Sequence, residues 1–491
     1  MFLKLYRFMI SRGSLPVLLT LLMTCVVAVV KGSLAPVDIF LILLVAVFQS
    51  FLLVYNKLSG AAVPVERLTE ENCLPVSRKS KRLALGMCFI PLLLLSGVLL
   101  AWVAVLLVSV YLSLNLWRLL MRMAGGRRLT AKALDDLGAL QPKVVVYVSG
   151  LANVAYQINQ WLPVLERLDV PVMILVRQRG IFRGMSETDI PVFYARKMND
   201  VGTVLGFGVR TVLYPANTMH NIQAFRQYQL NHFFINHGES DKAVNQSKLL
   251  QAYDKLLLAG PLAHRRLVSA GLAFRDNQVE FVGRPQAELL LEQVGQRPHL
   301  EKLRVLYAPT WEGFVDNVDY SSIGGLGLKL LRGLVKMPNV EVVFKPHPYT
   351  GSRESVKAKE LAEMKRFCTT NGIRVDESLG SIYECMNASD FMICDVSSVL
   401  NDYLVTRKPV VLCVNTMMAH LPVDEIFPTA RAAYKLRLED DVGELISAIS
   451  EKDAMAQARA EVRVDSLSDF PEGALAKFRQ VIHESVIDAA Q

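Results

Sequence analysis

The apolar positions of this chain fall into two regimes. Up to about residue 118 they form long runs: 15–30 (LPVLLTLLMTCVVAVV), 37–55 (VDIFLILLVAVFQSFLLVY), and a stretch from Leu83 to about Trp117. Each of the first two is near the ~20 residues that a helix needs to cross a bilayer. The linker KGSLAP, with Gly32 and Pro36, joins them into a predicted helical hairpin. The third stretch is too long for one ordinary span and short for two. Pro91, Ser96 and Gly97 mark a candidate break in it, so one long tilted helix and a re-entrant hairpin are both open. Lys4, Arg7 and Arg12 would suit a signal peptide, but no small-residue cleavage site follows and a second span comes at once, so an uncleaved anchor is expected.

Past Gln141 the pattern becomes short apolar strands separated by helical segments. KVVVYVSG (143–150), VPVMILVR (170–177), VRTVLYPAN (209–217), HFFINHG (232–238), KLLLAG (255–260) and VEFVGRP (279–285) make one series. After the polar stretch 292–302 a second follows: RVLYAPTW (304–311), VEVVFKPHP (340–348), DFMICDVSS (390–398) and KPVVLCV (408–414). Such alternation predicts parallel sheets covered by helices. The expected fold class is therefore α/β, with two facing Rossmann-like domains behind an α-helical membrane region. The expected boundaries are 1–118 for the membrane region, 141–290 for an acceptor domain and 300–491 for a donor domain.

Charge adds an orientation. The formal net charge is +8 over 491 residues, and 52% of the residues are apolar. Much of the basic excess flanks the apolar runs, at Arg78, Lys79, Lys81, Arg82, Arg118, Arg122, Arg127, Arg128 and Lys132. That placement favours a membrane surface over nucleic acid, for which no stripe of interleaved aromatic and basic residues exists. Basic bias puts the N-terminus, 56–82 and the segment after Trp117 on the cytoplasmic side of an inner membrane, which favours the hairpin reading of 83–117. The seven cysteines form no CxxC pair, so buried reduced thiols are expected.

The candidate chemistry sits at strand carboxyl ends, where an open α/β sheet binds its ligand. His237 and Gly238 end one strand, Thr310 and Trp311 another, Lys345 and His347 a third, and Asp395, Ser397 and Ser398 a fourth. A strand-end histidine suits general-base work because its pKa is near neutral. Lys345 and His347 can neutralise a diphosphate. Ser397 and Ser398 open a predicted helix, whose unpaired N–H groups attract phosphate; plain N-capping by serine is the alternative. No GxxxxGK(S/T), HExxH, GxSxG or strand-end DxD pattern occurs, so neither metal nor cofactor is expected.

In order, INHGESDK (235–242), VLYAPTWEG (305–313), VFKPHP (343–348) and CDVSSVLNDYLVTRKPVVL (394–412) resemble the CDP-glycerol glycerophosphotransferase family, the primases and polymerases of teichoic acid synthesis. The resemblance covers roughly residues 143–430. It implies a GT-B fold, His237 as base, and His347, Ser397 and Ser398 on the donor diphosphate; Lys345 joins that group. Gly150, Gly238, Thr310, Trp311, Asp395 and Asp402 are further candidates for substrate binding. The implied partners are a CDP-alcohol donor and a lipid or lipid-linked acceptor. The chain departs from the family in reading HGESDK for HGTPLK, Glu312 for a basic residue, and GRPQ (283–286) for a GxPR-like turn. These changes flank the site and leave the alcohol and the acceptor open. A GT-B glycosyltransferase using a nucleotide sugar, and a non-catalytic membrane scaffold, are the rival readings.

Overall fold

The computed structural model describes residues 14–61, 63–70, 87–96, 98–150, 154–239, 247–292, 302–313, 319–378 and 382–487. The basic cluster at 78–82 and the acidic Asp241 lie outside them. Two compact units emerge: Met1–Leu140 with Val192–Val204, and Gln141–Pro191 with Leu205–Gln491.

The first unit is built on helices Ser14–Lys31, Pro36–Ala61 and Val98–Leu140. At the turn between the first two, Asp38 accepts from Lys31 Nζ (3.2 Å) and from the Ala35 N–H (3.1 Å), tying off the second helix start. Inside the pair, Thr20 donates to Gln49 (2.9 Å), so two buried polar groups satisfy each other among apolar neighbours. The described part of the third apolar stretch is a 3-10 segment, Met87–Leu92, running into a helical turn, Leu93–Ser96, and then the long helix. The break predicted at Pro91 therefore exists as a change from 3-10 to α-helix, while Gly97 lies outside the described residues. The break yields a short piece and one long helix in place of two matched legs. Val27, Leu41, Val45, Met87, Ile90, Leu94, Val105 and Leu112 form the core of the unit. Among the described residues one segment, Trp102–Leu140, is long and apolar enough to cross a membrane; Leu19–Lys31 and Pro36–Phe51 are shorter apolar helical segments. Strand β1 (Val65–Arg67) pairs antiparallel with β4 (Val192–Ala195), and buried Glu66 bonds Arg122 on the long helix (2.8 Å).

The second unit holds two parallel sheets. In the first, β2 (Val144–Val148), β3 (Val172–Val176), β5 (Thr211–Tyr214), β6 (Asn231–Phe234), β7 (Lys255–Leu258) and β8 (Val279–Phe281) lie in the order β3-β2-β5-β6-β7-β8. In the second, β9 (Leu303–Ala308), β10 (Val340–Phe344), β11 (Arg374–Val375), β12 (Phe391–Cys394), β13 (Val410–Cys413) and β14 (Tyr434–Leu436) lie in the order β11-β10-β9-β12-β13-β14. All five residues of β2 and of β3 are buried, as strands covered on both faces require. In each sheet the order reverses beside the earliest strand, at β2/β5 and at β9/β12, and ligand crevices form at such switch points. The helix Ala474–Ile487 follows the second sheet in sequence yet packs on the first. Phe478 meets Trp161 (5.1 Å between rings), and Ser485 bonds Thr211 (2.8 Å).

Candidate active site

The His237 loop is shaped by the residue before it. Asn236 has a φ of 52°, a left-handed conformation that asparagine tolerates better than most residues. Its side chain accepts from the His237 N–H (2.9 Å) and donates to the Gly238 carbonyl (2.9 Å), while its own carbonyl accepts from Trp161 Nε1 (2.6 Å). His237 Nδ1 lies 2.8 Å from the Pro215 carbonyl at the end of β5. A carbonyl only accepts, so Nδ1 carries the proton and Nε2 carries the lone pair. Burial pushes the imidazole down to about 4; the Pro215 bond opposes this, Arg284 adds to it, and Asp402 opposes it. His237 is thus neutral at pH 7, in the tautomer of a proton acceptor.

His347 is the reverse. Its Nδ1 accepts the Tyr349 N–H (3.1 Å), which puts the ring proton on Nε2 and makes that atom a donor. Trp311 stacks on this ring (6.0 Å, 19°). Tyr156, from the first lobe, stands edge-on to His237 (5.7 Å), His347 (6.5 Å) and Tyr349 (6.1 Å). The two histidines therefore approach one ring from opposite lobes. Gly238 lies so close to the second lobe that a Cβ there would sit 2.8 Å from Ser398 Cβ. Ser397 occupies the N-cap position but does not cap; its hydroxyl donates to the Asp395 carbonyl (3.1 Å). The capping alternative for Ser397 is thus not what the geometry realises.

The other candidates are placed differently. Lys345 Nζ is paired with Asp376 (3.2 Å) and donates to the Ser378 carbonyl (3.2 Å). Burial would raise Asp376, but bonds from Ser378 and Cys385 and the Lys345 charge outweigh it and hold the carboxyl far below its ordinary value. Asp395 is fully buried, and its Oδ2 accepts the Thr310 and Ser322 N–H groups (2.8 and 3.1 Å). That bond fixes Thr310, and with it the end of β9. Asp402 is buried in an ion pair with Arg284. Gly150, at a φ of 150°, ends β2 at the switch point, where its N–H donates to Gln178 (3.1 Å).

Comparison with known proteins bears on the same stretch. Residues 235–462 match the family model described as CDP-Glycerol:Poly(glycerophosphate) glycerophosphotransferase. This part of the chain is similar to the CDP-glycerol glycerophosphotransferase family. No curated protein matches the chain. Among solved structures, the wall teichoic acid polymerase TagF superposes with a TM-score of 0.51 at 14% identity, covering 77% of this chain and 97% of that one. A variant of TagF soaked with CDPG gives 0.50 at 13%, covering 74% and 97%. At such identities the likeness is one of fold, the GT-B-like arrangement of parallel α/β sheets expected from the sequence.

The family segment contains His237, Lys345, His347, Ser397 and Ser398, but not Tyr156 or Gly150. Several organising residues carry no clear signal in the sequence. Arg284 is legible there only as part of an atypical turn. Tyr156 sits unremarked in a helical segment. Glu312, a departure from the family pattern, anchors the segment directly after the His347 loop. It is buried and accepts the N–H groups of Gly351 (3.0 Å), Arg353 (3.0 Å) and Glu354 (3.2 Å) at the start of helix Ser355–Thr370. Burial would raise its pKa, yet these amides hold it below the ordinary 4.5.

Proposed function

We propose that the chain is a membrane-anchored transferase that moves glycerol phosphate from CDP-glycerol to a hydroxyl of a membrane-associated acceptor, releasing CMP. The observation that carries this reading is the pairing of two histidines of opposite tautomer, one per lobe, both edge-on to Tyr156. The acceptor oxygen attacks the β-phosphorus and forms the new P–O bond. The bond from that phosphorus to the bridging oxygen breaks, and its electrons leave with CMP. The acceptor proton passes to His237 Nε2. An imidazole held at about 4 is a weak base, but the negative charge of a diphosphate beside it raises that value toward neutrality. Base strength therefore arrives with the donor. His347 Nε2–H and the Ser397–Ser398 turn stabilise charge on the diphosphate, and most of the rate comes from positioning and electrostatics. The CDPG-soaked TagF structure supports the choice of a CDP-alcohol.

Membrane anchoring is supported by the helix Val98–Leu140. Most of its large apolar side chains from Leu99 to Met123 stay uncovered, Leu99 by 77% and Leu107 by 66%, while Val105, Leu112 and Leu119 are buried. At ~1.5 Å per residue that band is about 36 Å long, enough for a hydrocarbon core of ~30 Å. Exposed Arg127, Arg128 and Lys132 follow it, as at a cytoplasmic boundary. Strand Val65–Arg67 pairs with β4 and Glu66 bonds Arg122, which supports placing 56–82 on the cytoplasmic side, beside the basic end of the long helix, in an inner-membrane protein. The test is mass spectrometry of the product formed by the full chain from CDP-glycerol and a membrane lipid extract. Glycerol phosphate on a lipid product, with CMP released, is expected. Transfer of a sugar with release of a nucleoside diphosphate, or no turnover of any CDP-alcohol, overturns the reading.

A further inference from the structure

Three consecutive residues of the His237 loop are tied into the second lobe. Arg284, in the turn after β8 and 4% exposed, forks onto Asp402, 3% exposed: Nε to Oδ1 at 2.8 Å and Nη2 to Oδ2 at 3.1 Å. The same Nη2 reaches the carbonyl of His237 (3.3 Å) and the hydroxyl of Tyr383 (3.4 Å), and that hydroxyl donates to Asp402 Oδ2 (3.0 Å). One residue on, Gly238 lies against Ser398. One further, the Glu239 carbonyl accepts from Asn401 Nδ2 (3.0 Å), while the Glu239 carboxylate pairs with Arg266 (3.1 Å). Asp402 and Asn401 belong to the helix that Ser398 opens.

We propose that Arg284 and Asp402 are positioning residues whose buried ion pair locks the His237 loop of the first lobe to the Ser397–Ser398 turn of the second, so that proton acceptor and diphosphate-binding turn stay in fixed register. The roles of His237 and the serines rest on the glycerophosphotransferase reading; the lock itself does not. A buried ion pair is a poor adhesive, since well-packed apolar residues of the same volume hold two surfaces together at least as well. Direction is what it adds. A guanidinium offers fixed, coplanar donors, so one group orients both Asp402 and the backbone carbonyl of His237. Parting the lobes at this point would break the fork and the bond to the His237 carbonyl together.

The lock has an electrostatic signature. Among the described residues, Arg284 and Asp402 act on the His237 ring, Tyr156 meets it edge-on, and His347 meets the same tyrosine. Arg284 and Asp402 act on the imidazole with opposite sign, so removing Arg284 alone moves its titration further than removing both.

The test uses the full chain in detergent with two readouts. The first is the titration midpoint of His237, from deuterium exchange at the imidazole C2 followed by peptide mass spectrometry. The second is steady-state transfer from CDP-glycerol. Arg284→Gln should raise the midpoint, because the Asp402 carboxylate then acts alone; Arg284→Lys, which keeps the charge but not the fork, should leave it in place. The neutral double variant Arg284→Gln with Asp402→Asn should bring the midpoint back toward the wild-type value, yet kcat should stay about 10²-fold low, the scale of a misplaced catalytic group, with KM for CDP-glycerol little changed. An unmoved midpoint in Arg284→Gln overturns the proposal, as does wild-type kcat in folded Arg284→Lys or in the double variant. Should Arg284→Gln fail to fold, those two variants carry the test. If the wild-type chain turns over no CDP-alcohol, the transferase reading fails, and the midpoints still decide whether the pair holds His237.

Discussion

Replacing His237 with alanine separates catalysis from binding. The substitution removes the imidazole and its Nδ1–H bond to the Pro215 carbonyl (2.8 Å). It leaves the Arg284 contact, which is made to the His237 backbone carbonyl, and it leaves the Asn236 and Trp161 bonds that shape the loop. Fold and donor turn should therefore survive. Loss of a general base typically costs about 10²–10⁴-fold in rate, equivalent to about 3–5 kcal/mol of transition-state stabilisation. The assay is single-turnover transfer at saturating CDP-glycerol and acceptor, with donor affinity measured by calorimetry. His237→Ala should bind donor as the wild type does. His347→Ala removes a donor to a charged oxygen worth ~1.5–3 kcal/mol, so its affinity should fall about 10- to 150-fold along with the rate. The pH profile gives an independent check. Burial keeps the free histidine at about 4, whereas bound diphosphate raises it. The acid limb of kcat should thus lie at higher pH than that of kcat/KM, and both limbs should vanish in His237→Ala. Near-normal turnover by His237→Ala at saturation would refute the argument and leave Glu239 or Asp241 as the acceptor of the proton.

The serine pair gives a second test: Ser397→Ala with Ser398→Ala should weaken binding of donor and of CMP without unfolding, and unchanged calorimetric affinity would reduce both to a local structural role. Gly238→Ala should disturb the contact between the lobes, since its Cβ would lie 2.8 Å from Ser398 Cβ, and wild-type thermal stability together with wild-type kcat would contradict that. Glu312→Gln should cost about 1–2 kcal/mol, in the range of a lost helix cap. Because Glu312 titrates below its ordinary 4.5 in the fold, its contribution is complete above that value and fades as pH falls, so mutant and wild-type stabilities should converge in acid. In intact cells an impermeant maleimide should miss Cys73, in the 56–82 loop; its labelling from outside would sink the proposed topology.

The sequence by itself determined the elements. Strands buried on both faces must read as unbroken apolar runs, and ten of these are visible from 143 to 414. The strands that escaped, β1, β4, β11 and β14, are two to four residues long, too short to show a period. The same grammar exposed His237, His347, Ser397 and Ser398, because strand carboxyl ends are where parallel sheets gather their ligands. The tertiary structure decided what those residues can do. Which nitrogen of each histidine carries the proton depends on Pro215 and Tyr349, which no periodicity connects to the rings as donor or acceptor. Lys345 looks in sequence like a cation for phosphate, but Asp376, from the end of another strand, pairs with it. Asp402 and Arg284 lie 118 positions apart, and nothing in either local segment reveals that they share a fork. Helix Ala474–Ile487 follows the second sheet along the chain, yet its apolar face is covered by the first. Local pattern specifies what a segment becomes; long-range packing selects its partner, and with it the charge, the tautomer and the direction of each functional group.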